Sequence, residues 1–267
     1  MPFIYKFAAN LSTLFDEDDF SERFRRAKQL GFQAVEAQNL YHLNLDDLKA
    51  VKKETGLEVA LINSPKSGTV DYFEGQGFGL ACIPGQEVEF NKSLLKAIKY
   101  AHSLECKRIH ILAGLKQDGI CEEDLFRTYK QNMEAAADCL EEHNIVGLIE
   151  PICPQVKELY FLDNFDKAMN AISEIGSSHL QLLLDVYHLQ MLEGDVEKGI
   201  KKYLKYAGHV QISQAPGREE PFYPGKIDYE KILEMLADMQ YDGHIGLEYN
   251  PSDPENGFKW LESYRAV

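Results

Sequence analysis

The chain has 267 residues, with 43 Asp and Glu against 28 Lys and Arg, giving a formal charge of −15. These acids are spread along the chain, which opposes nucleic acid or an anionic membrane as the main partner, since phosphate binding needs a basic surface. The 45% hydrophobic and 27% charged fractions suit a soluble globular protein, and the length is close to the roughly 250 residues of one βα-barrel, although two small domains also fit.

Five cysteines (Cys82, Cys106, Cys121, Cys139 and Cys153) occur without a C-x-x-C pair. An odd number without that spacing argues for reduced packing thiols and a cytoplasmic location rather than a disulfide scaffold. The N-terminus lacks the long apolar core of a signal peptide, and no apolar run approaches the ~20 residues of a membrane span.

Strand and helix signals alternate from one end to the other. Phe3–Asn10 reads as a first strand, followed by Phe20, Phe24, Ala27 and Leu30 at helical spacing and a stop at Gly31. Ala34–Gln38 reads as a short second strand, Leu45–Thr55 as a helix ended by Gly56, and Glu58–Asn63 as a third strand. An irregular stretch then runs from about Ser64 to Gln86, with glycines at 68, 75, 77, 79 and 85. A loop of that length is usually functional or disordered. It reads as a lid over a barrel mouth, with a surface insertion as the alternative.

Regularity resumes with a helix over Glu87–Leu104, a strand over Arg108–Gly114, a helix over Glu122–His143 and a strand over Val146–Glu150. A helix over Phe165–Ile175 precedes the Leu180–Asp185 strand, and a helix over Val196–Tyr206 precedes the His209–Ser213 strand. Finally Tyr229–Met239 reads as helix, His244–Tyr249 as strand and Gly257–Tyr264 as a closing helical segment. Eight βα units without a linker predict an α/β fold, a single (β/α)8 TIM barrel spanning residues 1–267. An open doubly wound sheet is the alternative, but no G-x-G-x-x-G follows the first strand.

The strand ends carry the chemistry. The fifth strand ends on Glu150, the sixth on Asp185 after three leucines, the seventh contains Gln211 and the eighth ends at Glu248. Period-two alternation lets all four point inward near the C-terminal ends, where barrel active sites form. Three clustered carboxylates repel unless a cation sits among them. An all-oxygen set suits Mg²⁺ or Mn²⁺. His188, three residues past Asp185, is sited to donate to a substrate oxygen. Arg218, on the loop after strand seven, reads either as a surface ion pair or as a fork for substrate oxygens. His110 and His209 read as polar core groups, and Lys66 as a weaker cation candidate.

At these residues the sequence resembles the hydroxypyruvate isomerase family, within the xylose-isomerase-like metal-dependent barrels. The resemblance runs over nearly the whole chain and is carried by Phe7–Ser12, Ala81–Gly85, Leu148–Pro151, Asp185–Gln190, His209–Ile212 and Gly246–Tyr249. It implies a divalent metal, Mg²⁺ or Mn²⁺, held by Glu150, Asp185, Gln211 and Glu248, with Glu150 and Glu248 as the proton-transfer pair. It implies substrate contacts from His188 and Arg218. The implied reaction interconverts hydroxypyruvate and tartronate semialdehyde by moving a proton between C3 and C2 through a cis-enediolate, with no organic cofactor. The expected partner is a small hydroxy-keto acid or sugar, and a homo-oligomer is compatible with the sequence.

One departure falls on a loop that, by the resemblance, borders the substrate. Some family members carry Ala-Asp where this chain has Ser213-Gln214, and the following loop reads Glu219-Glu220-Pro221-Phe222-Tyr223-Pro224 in place of a glycine-rich version. A ketose 3-epimerase would use nearly the same metal and glutamate pair. An endonuclease of the superfamily would need a basic groove and several histidines. A non-catalytic sugar-binding barrel would gain little from keeping both glutamates.

Overall fold

The computed structural model describes residues 3–66, 77–254 and 256–266. Eight parallel strands follow one another in chain order around a closed barrel. They are β1 (Phe7–Asn10), β2 (Ala34–Ala37), β3 (Glu58–Asn63), β4 (Arg108–His110), β5 (Val146–Ile149), β6 (Leu180–Asp185), β7 (Ala207–Ile212) and β8 (Ile245–Leu247). Between them lie α1 (Phe20–Gln29), α2 (Leu45–Thr55), α3 (Glu87–Ser103), α4 (Glu122–Glu142), α5 (Phe165–Ile175), α6 (Val186–Glu193), α7 (Val196–Tyr203) and α8 (Tyr229–Asp238).

Helix limits follow local chemistry. The Asn44 side chain accepts from the Asp46 and Asp47 amides to open α2, and Gly56, at φ 64°, ends it. Asn164, Asp195 and Asp228 cap α5, α7 and α8 in the same way. Each such cap satisfies backbone donors that the helix leaves open.

The chain divides into two compact units. The first comprises Met1–Gln38, Leu43–Ala60 and Leu184–Val267. In it β1 pairs with β2 (Ala8 with Ala34, Asn10 with Glu36) and with β8 (Ala8 with Gly246), and β7 pairs with β8 (Gln211 with Gly246). Ala8, Ala34 and Ala60 form a buried cluster of small side chains. The second unit comprises Asn39–His42 and Leu61–Leu183. There β4 pairs with β3 and β5, and β5 with β6. Leu61, Leu148 and Leu183 pack together in its core. Along α4, Leu125, Tyr129, Met133, Ala136 and Leu140 are buried, a helical face set by their spacing.

Several sequence-based limits shift. The first strand begins only at Phe7, because Phe3 makes an isolated antiparallel bridge to Arg265. The fourth stops at His110; beyond it Ala113 bridges Gly79 and Gly114 takes φ 108°. The eighth is only Ile245–Leu247. The expected helix over Val196–Tyr206 tightens into a 3-10 turn at Leu204–Tyr206, and the closing segment is also 3-10. Helix α6 was not expected at all. Its opening residues are apolar and continue the strand's hydrophobic run, so periodicity alone does not mark the change. Asp185 marks it, its carboxylate accepting from the Tyr187 amide at 2.8 Å.

The lid reading of the 64–86 loop falls largely on residues 67–76, which lie outside the described residues. Its far end is fastened: the Gly79 amide donates to Lys66 O at 2.9 Å and the Gly114 amide to Phe78 O at 2.8 Å. A Cβ at Gly79 would lie 2.0 Å from Leu112 O, so only glycine fits there. Among the described residues, no helix is long and apolar enough to cross a membrane. All five cysteines are free thiols.

Candidate active site

The first unit brings together three of the four residues expected to hold a metal. Asp185 closes β6 and is 1% exposed. One carboxylate oxygen is spent on the α6 cap, while the other accepts from Arg218 Nη2 at 2.7 Å. The same Nη2 donates to Glu248 Oε1 at 3.1 Å, and Gln38 Nε2 donates to that oxygen at 2.7 Å. Burial pushes the Glu248 carboxyl up to about 7, with Asp185 and Glu36 adding to the rise and Arg218 and Gln38 opposing it. Burial raises Asp185 as well, against Arg218 and the amides of α6. Two buried carboxyls joined by one guanidinium are held at a desolvation cost.

Arg218 reaches them from an unusual backbone. It sits at φ 63°, two residues after a cis Ala215–Pro216 bond, with its amide donating to Gln214 O and its carbonyl accepting from the Asn250 amide, both at 2.8 Å. Its guanidinium lies 4.7 Å from the centre of the Tyr187 ring. The surface-pair reading of Arg218 is therefore set aside: its partners are buried acids. His188, 2% exposed, lies in the first turn of α6 with Nε2 3.7 Å from Asp185 Oδ2.

Gln214 lies within this loop but does not aim at a substrate. Its Nε2 donates to Pro221 O and Ile227 O at 2.9 and 3.0 Å, and its Oε1 accepts from the Ala215 and Ile227 amides at 2.9 and 3.0 Å. With all four bonds made, its side chain is a staple for the Arg218 loop. At the sequence departure Ser213-Gln214, the glutamine holds this loop together from inside.

Gln211 occupies β7 and is 3% exposed. Its Nε2 donates to Glu36 Oε1 at 2.7 Å, whereas its Oε1, among the described residues, is buried without a hydrogen-bond partner. Glu36 also accepts from Asn10 Nδ2 at 2.9 Å, and its other oxygen lies 2.7 Å from His209 Nε2. His209 is thus a polar core group, as its sequence position suggests, with a buried carboxylate for its partner.

The second unit carries Glu150, directly after β5 and 5% exposed. His110 Nδ1 lies 3.5 Å from Glu150 Oε2. Burial pushes the His110 ring down to about 3, so it is neutral at physiological pH. Lys66 Nζ lies over the Phe78 ring, 5.3 Å from its centre, which gives that lysine a local packing partner.

Sequence reading missed Glu36, Gln38 and the stapling role of Gln214. The signal for Glu36 was available: an acid between Val35 and Ala37 in a barrel strand needs a buried partner, and His209 and Asn10 are equally anomalous in theirs. Nothing in the spacing matches those strands to one another.

Hard oxygens dominate this donor set. The set fits a divalent cation: among the described residues the buried Gln211 Oε1 has no donor, and burial raises both Asp185 and Glu248, so hard oxygens are present that Mg²⁺ or Mn²⁺ accepts.

Comparison with known proteins agrees with this architecture. The family model for the xylose isomerase-like TIM barrel matches residues 24–264. The chain is 36% identical to the hydroxypyruvate isomerase of Escherichia coli K12 over 261 residues, covering 97% of this chain and 99% of that one. It is 35% identical to the 2-oxo-tetronate isomerase of Cupriavidus necator over 260 residues, covering 97% and 98%. A crystal structure described as AP endonuclease, family 2, from Brucella melitensis superposes with a TM-score of 0.91 at 34% identity over the whole of both chains. The chain belongs to the xylose isomerase-like TIM barrel family. Within that class it stands among the hydroxypyruvate isomerases and their 2-oxo-tetronate relatives, and is an isomerase.

Proposed function

We propose that this isomerase interconverts hydroxypyruvate and tartronate semialdehyde with a divalent metal, Mg²⁺ or Mn²⁺, held by Glu150, Asp185, Gln211 and Glu248. The observation that carries the reading is the buried Gln211 Oε1, an oxygen donor without a partner among the described residues, on the strand between those that bring Asp185 and Glu248. When bound, the cation would supply Lewis-acid polarisation of the adjacent ketone and hydroxyl oxygens, worth several kcal/mol.

The protein's own groups do the rest. Hydroxypyruvate carries a ketone at C2 and a CH₂OH at C3. Isomerisation removes a proton from C3, returns one to C2 and passes through an enediol-level species. Glu150 and Glu248 are the two carboxylates assigned to that transfer. Without the metal, burial holds the Glu248 carboxyl up to about 7, and a cation on it would favour the ionised form that takes a proton. Glu150 meets a neutral imidazole, so His110 does not hold it as a permanent ion pair. Arg218, already bridging Asp185 and Glu248, is positioned to offer its planar fork to the substrate carboxylate, and His188 to donate to a substrate hydroxyl.

The near-equal identity to the Cupriavidus protein supports a second reading, a 2-oxo acid one carbon longer. An endonuclease reading is disfavoured by the charge of −15. The test is a panel of hydroxypyruvate, 2-oxo-tetronate, small ketoses and their phosphates, each with Mg²⁺ and with Mn²⁺. Highest kcat/KM on hydroxypyruvate supports the proposal. Preference for 2-oxo-tetronate moves the assignment to the longer acid, and turnover only of ketoses overturns both.

A further inference from the structure

The proposed mechanism uses Glu150, Asp185, Gln211 and Glu248 but leaves a fourth buried acid, Glu36, without a task. Glu36 is 1% exposed, on β2, and its side chain is surrounded by three donors. Asn10 on β1 and Gln211 on β7 both donate to Oε1, at 2.9 and 2.7 Å, and His209 Nε2 lies 2.7 Å from Oε2. The space it fills is reserved across the barrel interior on β8, which pairs with β1 and β7: a Cβ at Gly246 would sit 2.3 Å from Glu36 Oε2. A barrel strand that surrenders a side chain to admit an acid is not simply filling a core, since an apolar residue would do so without the desolvation cost.

The arrangement has a directional consequence. A primary amide presents an acceptor at one end and two donors at the other, and the two ends are nearly alike in shape. Left alone, a buried glutamine could turn either end outward. A carboxylate only accepts, so Glu36 can hold Gln211 by its NH₂ end alone. That leaves the carbonyl oxygen, the end with no partner among the described residues, as the one presented for ligation.

We propose that Glu36 is a positioning residue: by fixing the amide of Gln211 it commits this position to oxygen ligation of a hard divalent cation. Asn10 shares Oε1 with Gln211 and His209 faces Oε2, so both oxygens of the carboxylate are engaged and its orientation is fixed. The inference rests on the reading of Gln211 as a metal ligand. Outer partners of this kind typically govern metal affinity by 10- to 100-fold.

The experiment is a calorimetric titration of chelator-treated, purified protein with Mn²⁺ alone, comparing wild type, Glu36→Gln, Gln211→Ala and the double variant. Gln at position 36 keeps the shape but can face either amide end, so it no longer dictates the orientation of Gln211. The expected result is Mn²⁺ affinity lowered about 10- to 100-fold by Glu36→Gln, with no additional loss when Gln211 is already Ala. That lack of additivity separates action through Gln211 from general damage to the core. Wild-type affinity in Glu36→Gln, or full additivity in the double variant, overturns the positioning role and leaves the isomerase reading standing. Failure of wild type to bind Mn²⁺ overturns the metal-dependent reading and this inference with it. If Glu36→Gln does not fold, the crystal structure of Mn²⁺-loaded wild type decides. Gln211 Oε1 on the ion with Nε2 still on Glu36 supports the proposal, and Gln211 away from the ion refutes it.

Discussion

Replacing Glu248 by Gln is expected to lower turnover by orders of magnitude and yet stabilise the metal-free protein. Burial, reinforced by Asp185 and Glu36, pushes the Glu248 carboxyl from an ordinary 4.5 up to about 7. A carboxyl that holds its proton more tightly in the folded state contributes stability fully below its unfolded value. That contribution is lost as pH rises through the folded value. Between 4.5 and about 7 the difference corresponds to about 3 kcal/mol. Wild type therefore carries that cost above neutral pH, and the glutamine variant does not. Glutamine also keeps an oxygen that can accept from Arg218 and Gln38, so little packing is lost. In a chain of this size the gain is up to about 6–12 °C in Tm at about pH 8, shrinking to a small fraction at about pH 5. The assay is thermal unfolding by circular dichroism with chelator present, read as the variant-minus-wild-type difference across that pH range. A difference that does not change with pH, or a variant less stable than wild type at about pH 8, would refute the reasoning. Turnover of the metal-loaded variant is expected to fall by about 10²–10⁴-fold.

Other consequences follow from the same contacts. Gly246→Ala places a Cβ 2.3 Å from Glu36 Oε2; expected are about 1–3 kcal/mol of destabilisation by denaturant titration and weaker Mn²⁺ binding, and a neutral substitution would count against the packing described. Gln214→Ala strands two amides and two carbonyls inside the Arg218 loop. It is expected to cost about 2–4 kcal/mol and to lower kcat, and an unchanged kcat would show that the loop keeps Arg218 in place without its staple. Cys82 is fully buried, and burial pushes its thiol up to about 12. In folded protein at about pH 8 it should resist iodoacetamide while the exposed Cys121 reacts, and equal labelling by mass spectrometry would contradict this.

What could be read from the sequence depended on whether the signal was local. Strand six could be placed at Leu180–Asp185 because three consecutive leucines ending in an acid have few other readings, and α2 because Asn44 and Gly56 punctuate it. The acids proposed as metal ligands stood out for the same reason, each closing an apolar run. Helix α6 was hidden because Val186-Tyr187-His188-Leu189 shows no alternation of exposed and buried residues: all four are buried, His188 included. The Glu36 network was hidden for a different reason. Its members lie on β1, β2 and β7, and only the barrel's register brings Asn10 beside Glu36 and Gln211 beside Gly246. Arg218 was visible as a cation near the site, but its grip on Asp185 and Glu248 depends on a left-handed backbone conformation that no spacing rule predicts for arginine.

Movement of a proton between adjacent carbons of a 2-oxo acid under metal control is the central step of the proposed function. The direct measurement is NMR of hydroxypyruvate in D₂O with chelator-treated protein, before and after Mn²⁺ or Mg²⁺ is restored. Expected is formation of tartronate semialdehyde only once metal is present, with loss of activity in Glu150→Gln and in Glu248→Gln. Conversion undiminished after exhaustive chelation, or retained in both variants, would contradict it.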